Sequence, residues 1–280
     1  MRNIARLLFH SLSENSQRRI YEAYNKLYLW LIYIKVHRKI ESNVRRILSN
    51  RGYKAIHRIN VSCWKKEPIL TQYYVGTQKG NRYFIKAVLG EDFGCIKREF
   101  IIGKSMQIDM PEIRDYLMDV VDYWEQDDYK IIVSEYVIGQ LLSSVTPSAT
   151  AIEDIASIMI DILDNFYTSG YIHGDIRPSN IVWLEKEQKI KLIDYGLSYS
   201  KKHSADDVIY KELSLPKCFE NIGCNRYTPA NGWFDDAYAI LYVLKDLDNS
   251  LIKDYPIIWK EINNRIGRLS IKLSIEDENK

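Results

Sequence analysis

Residues 171–196 read YIHGDIRPSNIVWLEKEQKIKLIDYG, and their polar positions decide the fold. Asp175, Asn180 and Asp194 are separated by five and then fourteen residues. Each motif follows an apolar run of the kind that buries its backbone in a sheet and delivers the next polar side chains to one edge. Taken singly, an Asp-x-x-x-x-Asn loop or an Asp-Tyr-Gly turn is ordinary, since these residues favour turns for local reasons. Taken together they supply, in order, a carboxylate able to accept a hydroxyl proton, an amide oxygen and a second carboxylate. That is the donor set phosphoryl transfer requires around a metal-bound phosphate chain.

HGDIRPSN (173–180) resembles the catalytic loop of the protein-kinase superfamily, and Asp194-Tyr195-Gly196 resembles its metal-binding DFG element. The likeness covers about Arg58 to Leu247 and is most specific over Ile172–Gly196. It implies an α+β, bilobal protein-kinase-like fold: a five-stranded N-lobe with one helix, and a shortened, mainly helical C-lobe. It also implies ATP and Mg2+ as cofactors. By this resemblance Asp175 is the base or orienter of an acceptor hydroxyl, and Asn180 and Asp194 hold the metal. Arg177 stands where many members place a lysine near the transferred phosphate, and its permanent charge suits that place. Lys86, ending a Phe-Ile-Lys run, matches the lysine that contacts the α/β-phosphates, and Glu99 on the next helix matches its ion-pair partner.

IIVSEYVIG (131–139) resembles the hinge, which implies that the backbone of Glu135 and Val137 faces the adenine, with Ser134 behind it. His173 is expected to pack and hydrogen-bond within the loop, and Pro178 to shape its turn. Tyr227-Thr228-Pro229 is similar to the substrate-docking turn, with Ala230 where the family usually has Glu. Asp236 matches the aspartate that braces the catalytic loop from below, although Asp235 or Asp236 as a simple helix N-cap explains the same residues. Two departures stand out. NVSCWKKEPIL (60–70) contains no glycine where the family carries its glycine-rich loop, which leaves phosphate binding to another loop, with Lys65 or Lys66, or leaves it weak. Gly174 replaces the arginine that often precedes the catalytic aspartate, removing the usual charge partner of a phosphorylated activation loop. The His-Gly-Asp form also resembles antibiotic phosphotransferases and the sugar kinases of lipopolysaccharide core.

Outward from this centre the pattern supports the same architecture. YKAIHRIN, ILTQYYVGT, NRYFIKAVL, LMDVVDYW and KIIVSEYV read as strands, the second and third joined by a tight QKGN turn. FGCIKREFIIGKSM, between the third and fourth, reads as a short helix. Ala151–Ser169 reads as a longer one, with Gly170 placed to end it. The expected domains are a basic amphipathic helical extension over 1–51, an N-lobe over 52–138 and a C-lobe over 139–280.

With 280 residues, 46% of them hydrophobic, the chain can bury a full core. Its four cysteines show no CxxC pairing, which argues against a zinc site or a disulfide scaffold. No stretch reaches the ~20 consecutive apolar residues of a membrane span, and the N-terminus lacks the apolar segment and cleavage site of a signal peptide. The expected setting is cytoplasmic, including a peripheral place on the inner face of a membrane. Residues 1–58 hold thirteen Lys/Arg against three Glu, about +10, so the formal total of +2 leaves about −8 for the rest. Ile20, Tyr24, Leu27, Leu31 and Ile34 form a helical stripe among those cations. Two readings of residues 1–48 stand side by side: an interfacial helix on an anionic membrane surface, and a helix packed on the catalytic domain. Nucleic acid is not an expected partner, because the cations alternate with aliphatic bulk.

The activity these features imply is transfer of the γ-phosphoryl group of ATP to an acceptor hydroxyl, glycan or protein. The reading leans to a sugar of a membrane-associated glycan or lipopolysaccharide. The alternatives are a Ser/Thr protein kinase and a pseudokinase binding module.

Overall fold

The N-terminal half is organised by a five-stranded antiparallel sheet. Its strands are β1 (Lys54–Ile59), β2 (Thr71–Gln78), β3 (Asn81–Leu89), β4 (Val120–Gln126) and β5 (Tyr129–Glu135), in the spatial order β1-β2-β3-β5-β4. The structure is a computed structural model that describes residues 35–59, 71–90, 95–200, 226–229, 233–248 and 251–272. Two-residue turns set the register. Lys79 and Gly80 both take positive φ, closing β2 on β3 with Gln78 opposite Asn81. Asp127 and Asp128 do the same between β4 and β5. Turns of that hand match the right-handed twist of paired strands.

Strand alternation then sorts the side chains. Ile85, Ala87, Ile131 and Val133 point to one face, where they share a core, while Val88 and Ile132 join a different core on the other. Lys86, between Ile85 and Ala87, falls on that second face. A helix, α1 (35–50), covers the first face: Ile40, Val44, Ile47 and Leu48 recur at helical spacing and are at most 2% exposed. They pack with Tyr53, Tyr74 and Trp124. The second face receives α2 (Cys95–Asp109) through Ile96, Ile102 and Met106. Of the stretch expected as an extension over 1–51, residues 35–50 form α1 and pack into the N-lobe core. The stripe from Ile20 to Ile34 lies outside the described residues.

In the C-terminal half, α3 (Ala149–Ser169) is the central helix. Ser148 caps its first turn, accepting from the Ala151 N–H at 3.2 Å, and Gly170 ends it in the left-handed conformation. Ile155, Met159, Ile162 and Phe166 face the core. α3 hands the chain to β7 (Tyr171–Ile172), then to a hairpin of β8 (Ile181–Leu184) and β9 (Lys189–Leu192) that a short strand, β6 (Gln140–Leu141), extends. β10 (Tyr199–Ser200) returns to pair with β7. β11 (Trp233–Asp235) pairs with β12 (Ser270–Lys272), and between them lie α4 (Asp236–Leu247), α5 (Leu251–Asp254) and α6 (Pro256–Asn263). One apolar cluster runs from α2 through α3 to α4, so both halves share a core.

Candidate active site

The β8–β9 hairpin explains the fourteen-residue gap. Ile181 pairs with Leu192, and the Ile193 N–H donates to the Asn180 carbonyl at 3.0 Å, so the residues just before β8 and just after β9 lie side by side. Asn180 donates through Nδ2 to the Asp175 carboxylate at 2.6 Å and to its carbonyl at 2.9 Å. Arg177 lies 3.2 Å from the same carboxylate. From the sheet above, Lys86 Nζ reaches Glu99 Oε2 at 3.0 Å and Asp194 Oδ1 at 3.2 Å. The structure therefore brings Lys86, Glu99, Asp175, Arg177, Asn180 and Asp194 together, although 108 residues separate Lys86 from Asp194.

Buried contacts hold the loop in place. Asp236, 5% exposed, accepts the backbone N–H of His173 at 2.6 Å and of Gly174 at 3.0 Å. Its neighbour Asp235 caps α4 by accepting from the Tyr238 N–H, and also accepts from the Gly267 N–H at 2.6 Å. The two sequence readings of this pair are both realised, one by each residue. His173 is fully buried, its Nε2 at 3.2 Å from the Ile193 carbonyl and its Nδ1 accepting from the Asp175 N–H. Burial lowers its pKa to about 4, so it is a neutral structural group. Gly174 has φ 78°, and a Cβ there would sit 2.5 Å from the Leu197 carbonyl oxygen. The position that often carries arginine is one that admits only glycine in this backbone.

The turn after β9 is fixed from above. Tyr195 is fully buried, with its hydroxyl within hydrogen-bond reach of the Met118 and Leu192 carbonyls. Gly103 lets α2 approach, since a Cβ there would meet Val120 at 2.5 Å and Tyr195 at 2.9 Å. Buried Arg98 donates to the Gly196 carbonyl at 3.2 Å. Sequence reading passed over Arg98, whose only signal was its place beside Glu99.

Charge states follow from these surroundings. Burial pushes Asp175 up to about 7, against the opposing pull of Arg177 and the Asn180 hydrogen bond. Burial likewise pushes Asp236 up to about 7. Burial also disfavours the Lys86 ammonium, but Asp194 and Glu99 together outweigh it and hold its pKa well above the usual value. In return Lys86 outweighs burial at Asp194, whose carboxyl is held low and ionised.

The donor set fits magnesium. Asn180 spends its amide nitrogen on Asp175, which leaves its oxygen as a ligand, and Asp194 keeps about 41% of its side chain accessible. Hard oxygen donors few in number suit a cation that keeps waters and takes phosphate oxygens. Among the described residues no cluster of three or more His, Cys, Asp or Glu could hold a metal alone, so the nucleotide would complete the shell. At the hinge, Ser134 is buried at the back. The Glu135 N–H donates to the Asp119 carbonyl at 2.8 Å, so Glu135 can offer a ligand only its carbonyl, and Val137 packs against the larger core. The Glu135 carboxylate pairs with Lys191 on β9, a contact no motif announced. Lys65, Lys66 and Ala230 lie outside the described residues.

A groove of about 460 Å3 runs beside the loop, lined by Val145, Arg177, Ser179, Tyr227, Asp246 and Leu247 among others. The Tyr227 hydroxyl donates to Asp246 at 2.5 Å.

A family model described as protein kinase domain matches residues 75–228, more than half of the chain. A probable serine/threonine-protein kinase of Clostridium perfringens is 34% identical over 141 residues, covering 47% of this chain and 20% of that one. Serine/threonine-protein kinase B of Synechocystis is 31% identical over 100 residues, covering 34% and 17%. The chain thus spans about a fifth of the length of these curated relatives. Among solved structures, the kinase PK-1 of Cydia pomonella granulovirus superposes over 57% of each chain with a TM-score of 0.42 at 17% identity.

Proposed function

The chain belongs to the protein kinase family, and from that premise we propose that it transfers the γ-phosphoryl group of Mg·ATP to a serine or threonine hydroxyl of a protein. The observation that carries this reading is the Lys86 ammonium held between Glu99 and Asp194, with the Asp175–Asn180 pair beside it. A lysine so placed contacts phosphates, and Glu99 fixes its direction. The Asp175 carboxylate accepts a hydrogen bond from the acceptor hydroxyl, aligning its oxygen with phosphorus and taking its proton as the bond to phosphorus forms. Arg177, against Asp175, offers positive charge to the migrating phosphoryl group. Asn180 and Asp194 would hold magnesium, which when bound neutralises phosphate charge. The names of the relatives favour a protein acceptor over a glycan, and the groove beside Arg177 is consistent with a peptide segment.

The test offers purified full-length chain and Mg·ATP a Ser/Thr peptide library and a lipopolysaccharide-core oligosaccharide in parallel. Phosphate should appear on peptide hydroxyls, and Asp175→Asn should lower turnover by about 10²–10⁴-fold without changing the melting temperature. Transfer to oligosaccharide alone would reinstate the glycan acceptor. If Mg·ATP neither stabilises the protein nor turns over, the chain is a pseudokinase and the proposal fails.

A further inference from the structure

We propose that the outward face of α1 docks on an anionic lipid bilayer. The apolar side of this helix is spent on the sheet, through Ile40, Val44, Ile47 and Leu48. The opposite side is exposed and basic: Lys35, Arg38, Lys39 and Arg46 share it with Ser42 and Ser49. The helix and the strand after it, residues 35–58, carry eight Lys/Arg and one acidic residue, Glu41. Glu41 is already neutralised by Arg45 at 2.8 Å and lies 3.7 Å from Arg58. Arg46 is partly compensated by Asp127 across the sheet edge, at 3.2 Å. Lys35, Arg38 and Lys39 have no ion-pair partner among the described residues. On a helix packed against the sheet, these three cations hold toward solvent a charge that no acidic side chain among the described residues offsets.

Charge complementarity admits either a bilayer or a nucleic acid, and two observations favour the bilayer. The exposed face of α1 presents no aromatic ring on which a base could stack. The sequence that leads into it, LYLWLIYIKV (27–36), is aliphatic and aromatic, the composition that partitions into the headgroup boundary beside a polybasic segment. Docking through this face leaves the other face of the sheet, with Lys86, turned toward the catalytic loop. The proposal is therefore independent of the acceptor and of catalysis.

The experiment is co-sedimentation of the full chain with vesicles of phosphatidylserine in phosphatidylcholine and with phosphatidylcholine alone. The variant combines Lys35→Gln, Arg38→Gln and Lys39→Gln, changes that keep helix propensity. The wild type should bind the anionic vesicles selectively and release them as salt rises. The variant should bind about a hundredfold more weakly, at about fivefold per cation near the surface, with its melting temperature unchanged. Equal binding by variant and wild type overturns the proposal, because lipid contact would then belong to another segment. So does indifference to lipid charge. Displacement from anionic vesicles by duplex DNA at a lower concentration of charges would reassign the face to nucleic acid.

Discussion

Replacing Asp236 with alanine should unfold the support of the catalytic loop. Its two carboxylate oxygens take the N–H groups of His173 and Gly174, both inside the protein. Alanine leaves both donors buried without acceptors, at about 1–3 kcal/mol each, so the expected loss is about 4 kcal/mol. Against a typical total of about 5–15 kcal/mol this is severe, and it corresponds to a fall in melting temperature of about 8–16 °C for a domain of this size. Asp236→Asn is the sharper probe. Its single oxygen can satisfy one N–H, but its amide would face the other, so about half the loss should remain. Catalysis should suffer more than stability suggests, because Asp175 directly follows the braced pair, and a displacement of about 1 Å at a reacting group costs about 10²-fold. Urea denaturation and single-turnover phosphoryl transfer, both at 20 °C on wild type and the two variants, read the two effects separately. Melting of Asp236→Ala within about 2 °C of wild type, with full turnover, would refute the reasoning, since buried donors must be satisfied wherever they lie.

Three further outcomes follow from the same structure. Ile47→Ala, at a fully buried site between α1 and the sheet, should cost about 3 kcal/mol in a denaturant melt; a loss under about 1 kcal/mol would mean α1 is not part of the N-lobe core. Gly103→Ala gains helix propensity but forces α2 off Val120 and Tyr195, and Glu99 sits one turn earlier on the same face. Stability should fall by about 1–2 kcal/mol while KM for ATP rises, and an unchanged KM would separate α2 position from the Lys86–Glu99 pair. For pH, burial raises Asp175 to about 7, and only its ionised form accepts the acceptor proton. Activity is therefore lost as pH falls through about 7 and is level above it. The profile of kcat/KM, which reports the free enzyme, should show that limb in wild type, and a flat profile from pH 6 to 8 would contradict the assignment.

Local signals made much of this legible. Lys79-Gly80 could be read as a tight turn because glycine tolerates positive φ, and Gly170 as a helix end for the same reason. Asp175, Asn180 and Asp194 were visible because a hairpin of fixed length must return the chain to where it started, and that length is written in the spacing. Lys86 could be placed by alternation along β3, which puts it opposite Ile85 and Ala87. Other roles left no local trace. Arg98 and Glu99 are adjacent, charged and both buried, yet one holds the Gly196 carbonyl and the other holds Lys86. Their directions differ by a single residue's rotation about a helix whose placement depends on Gly103.

Sequence alone determined the succession of strands along the chain, the central helix and the candidate residues for phosphoryl transfer, because turn chemistry, periodicity and side-chain functional groups act within a few residues of one another. Tertiary structure alone decided which aspartate of the 235–236 pair braces the loop and which caps α4, since identical neighbours differ only in what is packed against them. It also decided what lies under α1. An amphipathic stripe states that one face leaves water, and only the five-stranded sheet beneath it shows where that face goes.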